Sequence, residues 1–370
     1  MGYLGENIPK LGFGLMRLPM IGKDVDIEQT KAMVDLFMSK GFSYFDSSWA
    51  YIGGQSEEAI KTAVVDRYPR ESFQIATKCP VWLVKTEQEA KQMIYTSLAR
   101  TGAGYIDYYL LHNLGDARTQ VFDDFGMWDY VRELKEKGLV RHIGFSIHDS
   151  ADAVDKALTE HPEMEFVQFQ LNYDDWESPT IQARKCYEAA LKHKKPVVVM
   201  EPVKGGLLAD PMDSVKKIFA AADPSASPAS WAIRFAASLD NLITVLSGMS
   251  TIEQMRDNVS YMENFKPLDK REREVIENAR KAISEVPGIP CTACEYCMEV
   301  CPKNLRIPHI FAAYNRQLVY GGDAKGRYGL ETRTSGKASD CIACGGCERV
   351  CPQHIEIIRH MEAIARDLDH

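Results

Sequence analysis

Upstream of residue 287 the apolar positions fall into two alternating kinds of run. Short β-rich stretches at 43–45, 73–77, 106–111, 140–145, 166–171, 196–200 and 242–246 alternate with amphipathic stretches of helical period, for example 27–40, 87–100, 128–137, 179–192 and 228–238. A further strand near 10–15 brings the strands to eight. Strand alternating with helix is the signature of repeated βα units and a parallel sheet. Eight such units in under 290 residues predict a TIM (β/α)8 barrel rather than an open doubly wound sheet. No Gly-x-Gly-x-x-Gly follows a strand, which tells against a Rossmann arrangement. Beyond the last strand the pattern changes. A charged amphipathic helix at 270–283 is followed by Val286-Pro-Gly-Ile-Pro290, which reads as a linker, so the barrel is expected at 1–285 and a second domain at 286–370. Within that second domain 307–318 reads as helix, whereas 321–339, rich in glycine and polar residues, reads as a surface loop.

Composition narrows the partners. The chain of 370 residues is 45% hydrophobic and 26% charged, enough for one large core and a smaller domain. A formal charge of −8 with no long run of one sign argues against nucleic acid or an anionic membrane as a partner. No apolar run approaches the roughly 18 residues that cross a bilayer, and residues 1–10 lack the basic start and apolar stretch of a secretory signal. A cytoplasmic location is the expectation.

Cysteine placement changes the picture most. Eight of the ten cysteines lie between Cys291 and Cys351, in two near-copies of C-x2-C-x2-C-x3-C-P. The first is Cys291-Thr-Ala-Cys294-Glu-Tyr-Cys297-Met-Glu-Val-Cys301-Pro302, and the second is Cys341-Ile-Ala-Cys344-Gly-Gly-Cys347-Glu-Arg-Val-Cys351-Pro352. Three thiolates at this spacing wrap three corners of one iron–sulfur cube, while the fourth normally ligates the other cube. Two 4Fe-4S clusters are therefore expected, one on Cys291, Cys294, Cys297 and Cys351, the other on Cys341, Cys344, Cys347 and Cys301. Structural zinc gains nothing from a third C-x2-C step and a following proline, and a disulfide framework is out of place in the cytosol. The second domain is thus read as mainly helical and ferredoxin-like. Cys79 and Cys186 are expected to be packing residues.

In a TIM barrel chemistry sits where strands end and loops begin. Asp46 ends the second predicted strand, Tyr51 follows in its loop, Lys78 ends the third and His112 ends the fourth. Each taken alone reads most simply as a capping, surface or packing residue. Together they make a mechanism.

The surrounding segments resemble the aldo-keto reductase family. Leu11-Gly-Phe-Gly-Leu-Met-Arg-Leu-Pro19 is similar to its first strand, and Phe45-Asp-Ser-Ser-Trp-Ala-Tyr51 to its Asp and Tyr segment. Ala76-Thr-Lys-Cys-Pro80 is similar to its Lys segment, and Asp107-Tyr-Tyr-Leu-Leu-His112 to the strand carrying its His. The resemblance covers about the first 265 residues, and the tail resembles a bacterial and archaeal subset with a ferredoxin-like extension. It implies Tyr51 as proton donor, Lys78 as the ammonium that favours the phenolate, Asp46 as the partner of Lys78, and His112 as the group orienting a carbonyl.

The same resemblance implies NADPH or NADH as cofactor. It assigns Gln168 and Ser146 to the nicotinamide carboxamide, with Ile147 where the family usually has Asn, and Met200 where an aromatic ring usually stacks. Val203 and Gly205 belong to a loop suited to a pyrophosphate, and Gly248, Ser250, Gln254 and Asn258 to the adenosine segment. Gly248 and Gln254 stand where NADPH-selective members carry Lys and Arg, so either dinucleotide is compatible. Trp49, Trp82, Asn113, Tyr173, Asp174 and Trp176 are candidates to rim the substrate pocket.

Two functions fit. One is an NAD(P)H-dependent oxidoreductase acting on an aldehyde, ketone or alcohol, with clusters that exchange electrons with a redox partner protein or stabilise the fold. The other is an electron-transfer or redox-sensing protein on a reductase-like barrel. Hydride transfer moves two electrons and needs no one-electron carrier; a flavin would convert between the regimes, but no residue demands one.

Overall fold

The computed structural model describes residues 4–115, 118–286, 288–320, 324–333 and 335–369. Pro287, at the expected linker, lies outside them. Eight parallel strands close a barrel: β1 (Leu11–Gly14), β2 (Tyr44–Asp46), β3 (Gln74–Cys79), β4 (Ile106–Leu114), β5 (Val140–Ile147), β6 (Phe166–Gln170), β7 (Val197–Met200) and β8 (Leu242–Gly248). Each strand pairs with its neighbours in sequence, and β8 closes on β1. The TIM barrel expected from the alternating pattern is the fold that forms. A short antiparallel hairpin, Met20–Ile21 with Asp24–Val25, is an addition the pattern did not announce.

Side chains on a strand alternate between faces, so every second residue of each barrel strand points the same way. Tyr44, Ala76, Leu110, Phe166 and Val198 form one buried cluster, together with Tyr108, Ile243 and Leu246. Rings of Tyr44 and Tyr108 lie 5.1 Å apart, and those of Tyr108 and Phe166 5.3 Å. Gly144 belongs to the same layer: a Cβ there would sit 2.5 Å from the Phe166 carbonyl oxygen, so only glycine leaves room for the Phe166 ring. Two residues further along these strands stand Asp46, Lys78, His112, Gln168, Met200 and Ser146. The period of two that fills the core thus delivers six of the expected site residues to the carboxyl ends of six strands.

Helices cover the outside. Asp26 caps helix Ile27–Ser39 by accepting the Gln29 N–H, and the helix buries Met33, Val34 and Phe37. Phe37 packs edge-on against Phe45 of β2 at 5.4 Å. Truncating such a ring costs about 3–5 kcal/mol. Helix Glu87–Thr101 opens with a Thr86/Glu89 capping box and stops at Gly102, whose φ of 64° lies in the left-handed region. Helix Ala183–Lys192 begins later than the pattern suggested, after Gln182 at φ 56°.

The chain divides into two compact units. The first comprises Met1–Ser178, Gln182–Pro202 and Ala229–Asp269; the second comprises Pro179–Ile181, Val203–Pro228 and Lys270–His370. In the second, helix Lys270–Ser284 packs on helix Asp213–Ala222. Its cysteine-rich part is a structural duplication. Left-handed residues recur at an offset of 50 in the pairs Ala293/Ala343, Glu295/Gly345 and Asn304/His354. Helices Tyr296–Glu299 and Ile307–Tyr320 repeat as Gly346–Arg349 and Ile357–Leu368. Ile307, Ile310 and Phe311 meet Ile357, Met361 and Ile364 in its core.

The expected surface loop at 321–339 is a correction. Residues 321–323 and 334 lie outside the described ones, but Ala324–Thr332 is a helix. Gly326 and Gly329 disguise it in the sequence, because glycine disfavours helix interiors by about 1 kcal/mol. Tertiary contacts override that preference: Tyr328 is buried, donates to Asp369 at 2.6 Å and accepts the Ala338 N–H at 2.7 Å. Among the described residues no helix is long and apolar enough to cross a membrane.

Candidate active site and cluster ligands

Asp46 and Lys78 come from adjacent strands and form a buried ion pair, 3% and 1% exposed. Lys78 Nζ donates to Asp46 Oδ1 at 2.5 Å and to the Ser47 carbonyl at 2.5 Å. Burial pushes the Lys78 ammonium below its ordinary value, with Asp46 opposing; burial pushes the Asp46 carboxyl up, with Lys78 opposing. Lys78 Nζ stands 4.8 Å from the centre of the Tyr51 ring. His112 meets the Tyr51 ring edge-on, 5.9 Å between centres at 79°. All four strand-end candidates are brought to one place.

The rim candidates Trp49 and Trp82, together with Ser48, Glu57 and Arg100, which the sequence did not single out, hold this arrangement. Ser48 Oγ lies 3.1 Å from His112 Nδ1, and Trp82 packs on the imidazole at 5.1 Å. Burial first, and then the Lys78 charge, hold His112 well below the ordinary histidine value, so the ring is neutral near pH 7. Arg100 pins the Tyr51 loop: it donates to the Trp49 carbonyl at 2.8 Å and to Glu57 at 3.2 Å, and lies 4.8 Å over the Trp49 ring. Gly54, at φ 97°, lets the loop pass, since a Cβ there would meet the Arg100 guanidinium at 2.6 Å. Glu57 is fully buried and accepts the Thr77 hydroxyl at 2.6 Å. Ser48, Glu57 and Arg100 had no strand-end signal to mark them.

The rim candidates separate. Trp82 belongs beside His112, whereas Tyr173 and Trp176 pack edge-on against Phe235 at 6.2 and 5.5 Å. Asp174 follows Tyr173 in the same stretch. Cys79 and Cys186 are buried, and burial pushes each thiol up to about 12. They are inert packing groups, as expected.

Of the residues assigned to a dinucleotide, Ser146 and Gln168 stand opposite each other on β5 and β6. Gln168 Nε2 reaches Met200 Sδ at 3.7 Å, while its buried Oε1 has no hydrogen-bond partner among the described residues. At the other end, Ser247 donates to Asn258 Oδ1 at 2.9 Å, Asn258 Nδ2 to the Gln254 carbonyl at 2.8 Å, and the Ser250 N–H to Gln254 Oε1 at 2.7 Å. Gly248 and Ser250 border Arg17, whose carbonyl accepts the Ser250 hydroxyl at 2.7 Å. Arg17, in the turn after β1, is a cation beside that segment which strand-end reasoning passed over. Val203 and Gly205 belong to the second unit. Gly205, at φ 63°, presses on the backbone of Thr292, where a Cβ would lie 2.4 Å from the carbonyl oxygen.

Cys291, Cys294, Cys297 and Cys351 line one cavity, walled by Ile307, Phe311, Ile355 and Ile357. The Cys297 thiol is pushed up by burial, then by Cys294, Cys291, Cys351 and Cys347. In the second copy Cys347 is buried, and burial followed by Glu348 and Cys341 raises it to about 11. Cys344 is exposed, and a Cβ on Gly346 would lie 3.8 Å from its sulfur and 3.4 Å from the carbonyl of Val300, which precedes Cys301. Ala293, Glu295, Asn304, Ala343 and His354 all hold left-handed backbone, a strain of about 1–2 kcal/mol each that persists where the surroundings over-determine it. Such concentrated strain beside the thiols fits loops shaped around a bound cluster.

Comparison with known proteins identifies the family and the fold. A model of the "Aldo/keto reductase family" matches residues 10–281, and one of a "4Fe-4S dicluster domain" matches residues 290–356. "Uncharacterized oxidoreductase YqkF" of Bacillus subtilis is 24% identical over 316 residues, 76% of this chain and 95% of that protein. "Probable aldo-keto reductase 1" of Glycine max is 30% identical over 171 residues, 44% of this chain; the matched part spans about half, 48%, of that relative's length. Among solved structures, the aldo-keto reductase AKR11C1 from Bacillus halodurans in its holo form has a TM-score of 0.60 at 23% identity, covering 75% of this chain and 95% of that one. An aldo-keto reductase from Klebsiella pneumoniae in complex with NADPH has a TM-score of 0.58 at 19% identity, covering 74% and 93%. At these identities the structural likeness establishes the fold. The family itself follows from the match over most of the chain: this protein belongs to the aldo/keto reductase family of oxidoreductases and carries a 4Fe-4S dicluster domain after its barrel.

Proposed function

We propose that the protein reduces an aldehyde or ketone with NADPH or NADH, or runs the reverse alcohol oxidation, at Tyr51, and that 286–370 is a separate domain holding two 4Fe-4S clusters. The observation that carries the catalytic part is the buried Lys78–Asp46 pair beneath the Tyr51 ring with His112 at its edge. Reduction leaves negative charge on the carbonyl oxygen, which needs a proton and a positioned donor. A bound nicotinamide would supply the hydride. Tyr51 gives its proton to the oxygen, and the Lys78 ammonium stabilises the charge that builds on the phenol as it does so. Asp46 keeps Lys78 charged and fixed in a site where burial works against the ammonium. His112 stays neutral, and with Ser48 at Nδ1 its Nε2–H is left to hold the carbonyl oxygen. The unpartnered Gln168 Oε1 and the adjoining Ser146 suit the carboxamide of the nicotinamide, and the Gly248, Ser250, Gln254 and Asn258 segment suits the adenosine. Val203 and Gly205 are assigned to its pyrophosphate.

Cys291, Cys294, Cys297 and Cys351 would hold one cluster, and Cys341, Cys344, Cys347 and Cys301 the other. The four-thiol cavity supports the first set, and the 50-residue duplication supports the second. The clusters would supply one-electron capacity toward a redox partner protein, and the reduced thiols that hold them suit a cytoplasmic location. Anaerobic titration of the cluster-loaded protein with NADPH and NADH, followed by assay against a panel of aldehydes and ketones, tests the reading. Binding of one dinucleotide and its oxidation by a carbonyl compound is the expected outcome. Absence of binding by both dinucleotides overturns it.

A further inference from the structure

Asn113 follows His112 on β4, is fully buried, and leaves both Oδ1 and Nδ2 without a hydrogen-bond partner among the described residues. Burying an amide without hydrogen-bond partners is costly, so both ends unpaired in one side chain call for a ligand. The backbone at Asn113 is itself unusual. Its φ is 59°, and the pairing of β4 with β5 shifts register between Leu111 and Leu114, around this residue. The shift aims the Asn113 N–H at Ser146 Oγ, 2.8 Å away. Ser146 in turn stands opposite Gln168, whose Oε1 is also buried and unpartnered. Asn113 through its backbone thus adjoins Ser146, and Ser146 adjoins Gln168, on β4, β5 and β6, with side-chain hydrogen-bonding capacity unused on each.

That capacity has a definite composition. Ser146 Oγ accepts from the Asn113 backbone and keeps its own hydrogen to donate; Asn113 Nδ2 donates as well. Asn113 Oδ1 and Gln168 Oε1 accept. A primary carboxamide presents the complement: one oxygen with two lone pairs and one NH2 with two hydrogens. We propose that Asn113 is a binding residue for the nicotinamide carboxamide, and that this amide on β4 takes over the position left apolar by Ile147 on β5. The assignment rests on the dinucleotide-dependent reading above and names a residue that reading does not use. It also accounts for Asn at a left-handed position, where Asn is tolerated better than most side chains.

The test compares the natural dinucleotide with its 3-acetylpyridine analogue, which keeps the ring carbonyl but has a methyl group in place of NH2. Binding to the cluster-loaded protein is measured by fluorescence titration, with ADP-ribose as a control that lacks the nicotinamide. Asn113→Gly removes the side chain without straining the backbone, and Asn113→Asp keeps an acceptor but removes the donor. The expected result is a roughly tenfold loss of NAD(P)H affinity in Asn113→Gly, unchanged ADP-ribose affinity, and a smaller preference for carboxamide over acetylpyridine. Asn113→Asp should retain that preference while losing affinity. Full retention of affinity and preference in both variants overturns the assignment, as does an equal loss of ADP-ribose binding. Wild-type protein that binds neither dinucleotide overturns the reading beneath it and the assignment together.

Discussion

The barrel and the cysteine-rich unit solve the same problem, holding chemistry in place, in opposite ways. In the barrel the groups stand on regular strands two residues beyond a packed core layer, and Asp46, Lys78 and His112 are fixed by burial and by one another. In the cysteine-rich unit the cysteines lie on loops and single-turn helices, the backbone around them is left-handed at Ala293, Glu295, Asn304, Ala343 and His354, and the cysteine motif with its two following helices occurs twice. The first site stores its organisation in side-chain electrostatics and is complete in protein atoms. The second concentrates left-handed backbone at five non-glycine positions around its cysteines. A preorganised site of the first kind should survive cluster loss, whereas the second unit should not.

The largest expected effect separates the two directly. Lys78→Met removes the ammonium from beneath Tyr51, and carbonyl reduction should fall roughly 10²–10³-fold while the visible cluster absorbance stays intact. An equal loss of absorbance would show that the two regions are not independent. Cys297→Ala tests the comparison from the other side. Iron content should fall from about eight toward about four per chain, and the temperature at which the second unit unfolds should drop, with dinucleotide binding retained. Iron analysis and calorimetry check this.

A smaller effect comes from His112. Its folded-state value is held below that of an unfolded histidine, so the unfolded chain binds the extra proton. The stability contributed by keeping His112 neutral is present above about pH 6.5 and is lost as pH falls through the folded value, by up to about 1.4 kcal/mol per pH unit. Urea unfolding of the barrel between pH 7.5 and 5 should show this slope, and His112→Gln should flatten it.

The regions also differed in how far the sequence disclosed them. Barrel strands were legible because a closed parallel sheet leaves unbroken apolar runs, and the site residues were legible as polar groups at their ends. Cysteine spacing disclosed the 4Fe-4S dicluster domain, since three thiolates around one cube demand such spacing. What stayed hidden depended on contacts distant in sequence. Arg100 reaches Trp49 from a helix with nothing local to mark it. Ser48 finds His112 across the barrel, and Asn113 acquires its position from a register shift. The helix Ala324–Thr332 is held by Tyr328 through Ala338 and Asp369 and defeats a composition that favours a loop. Glu295 is instructive in the other direction. Its left-handed conformation is visible only by alignment with Gly345 in the second copy.

The central claim is that Tyr51 is the proton donor of a carbonyl reduction. Single-turnover reduction of an aldehyde by the anaerobic, cluster-loaded Tyr51→Phe protein, with dinucleotide affinity measured on the same sample, tests it most directly. The account predicts unchanged affinity and a rate lowered roughly 10²–10⁴-fold; a rate equal to that of the wild-type protein would contradict it.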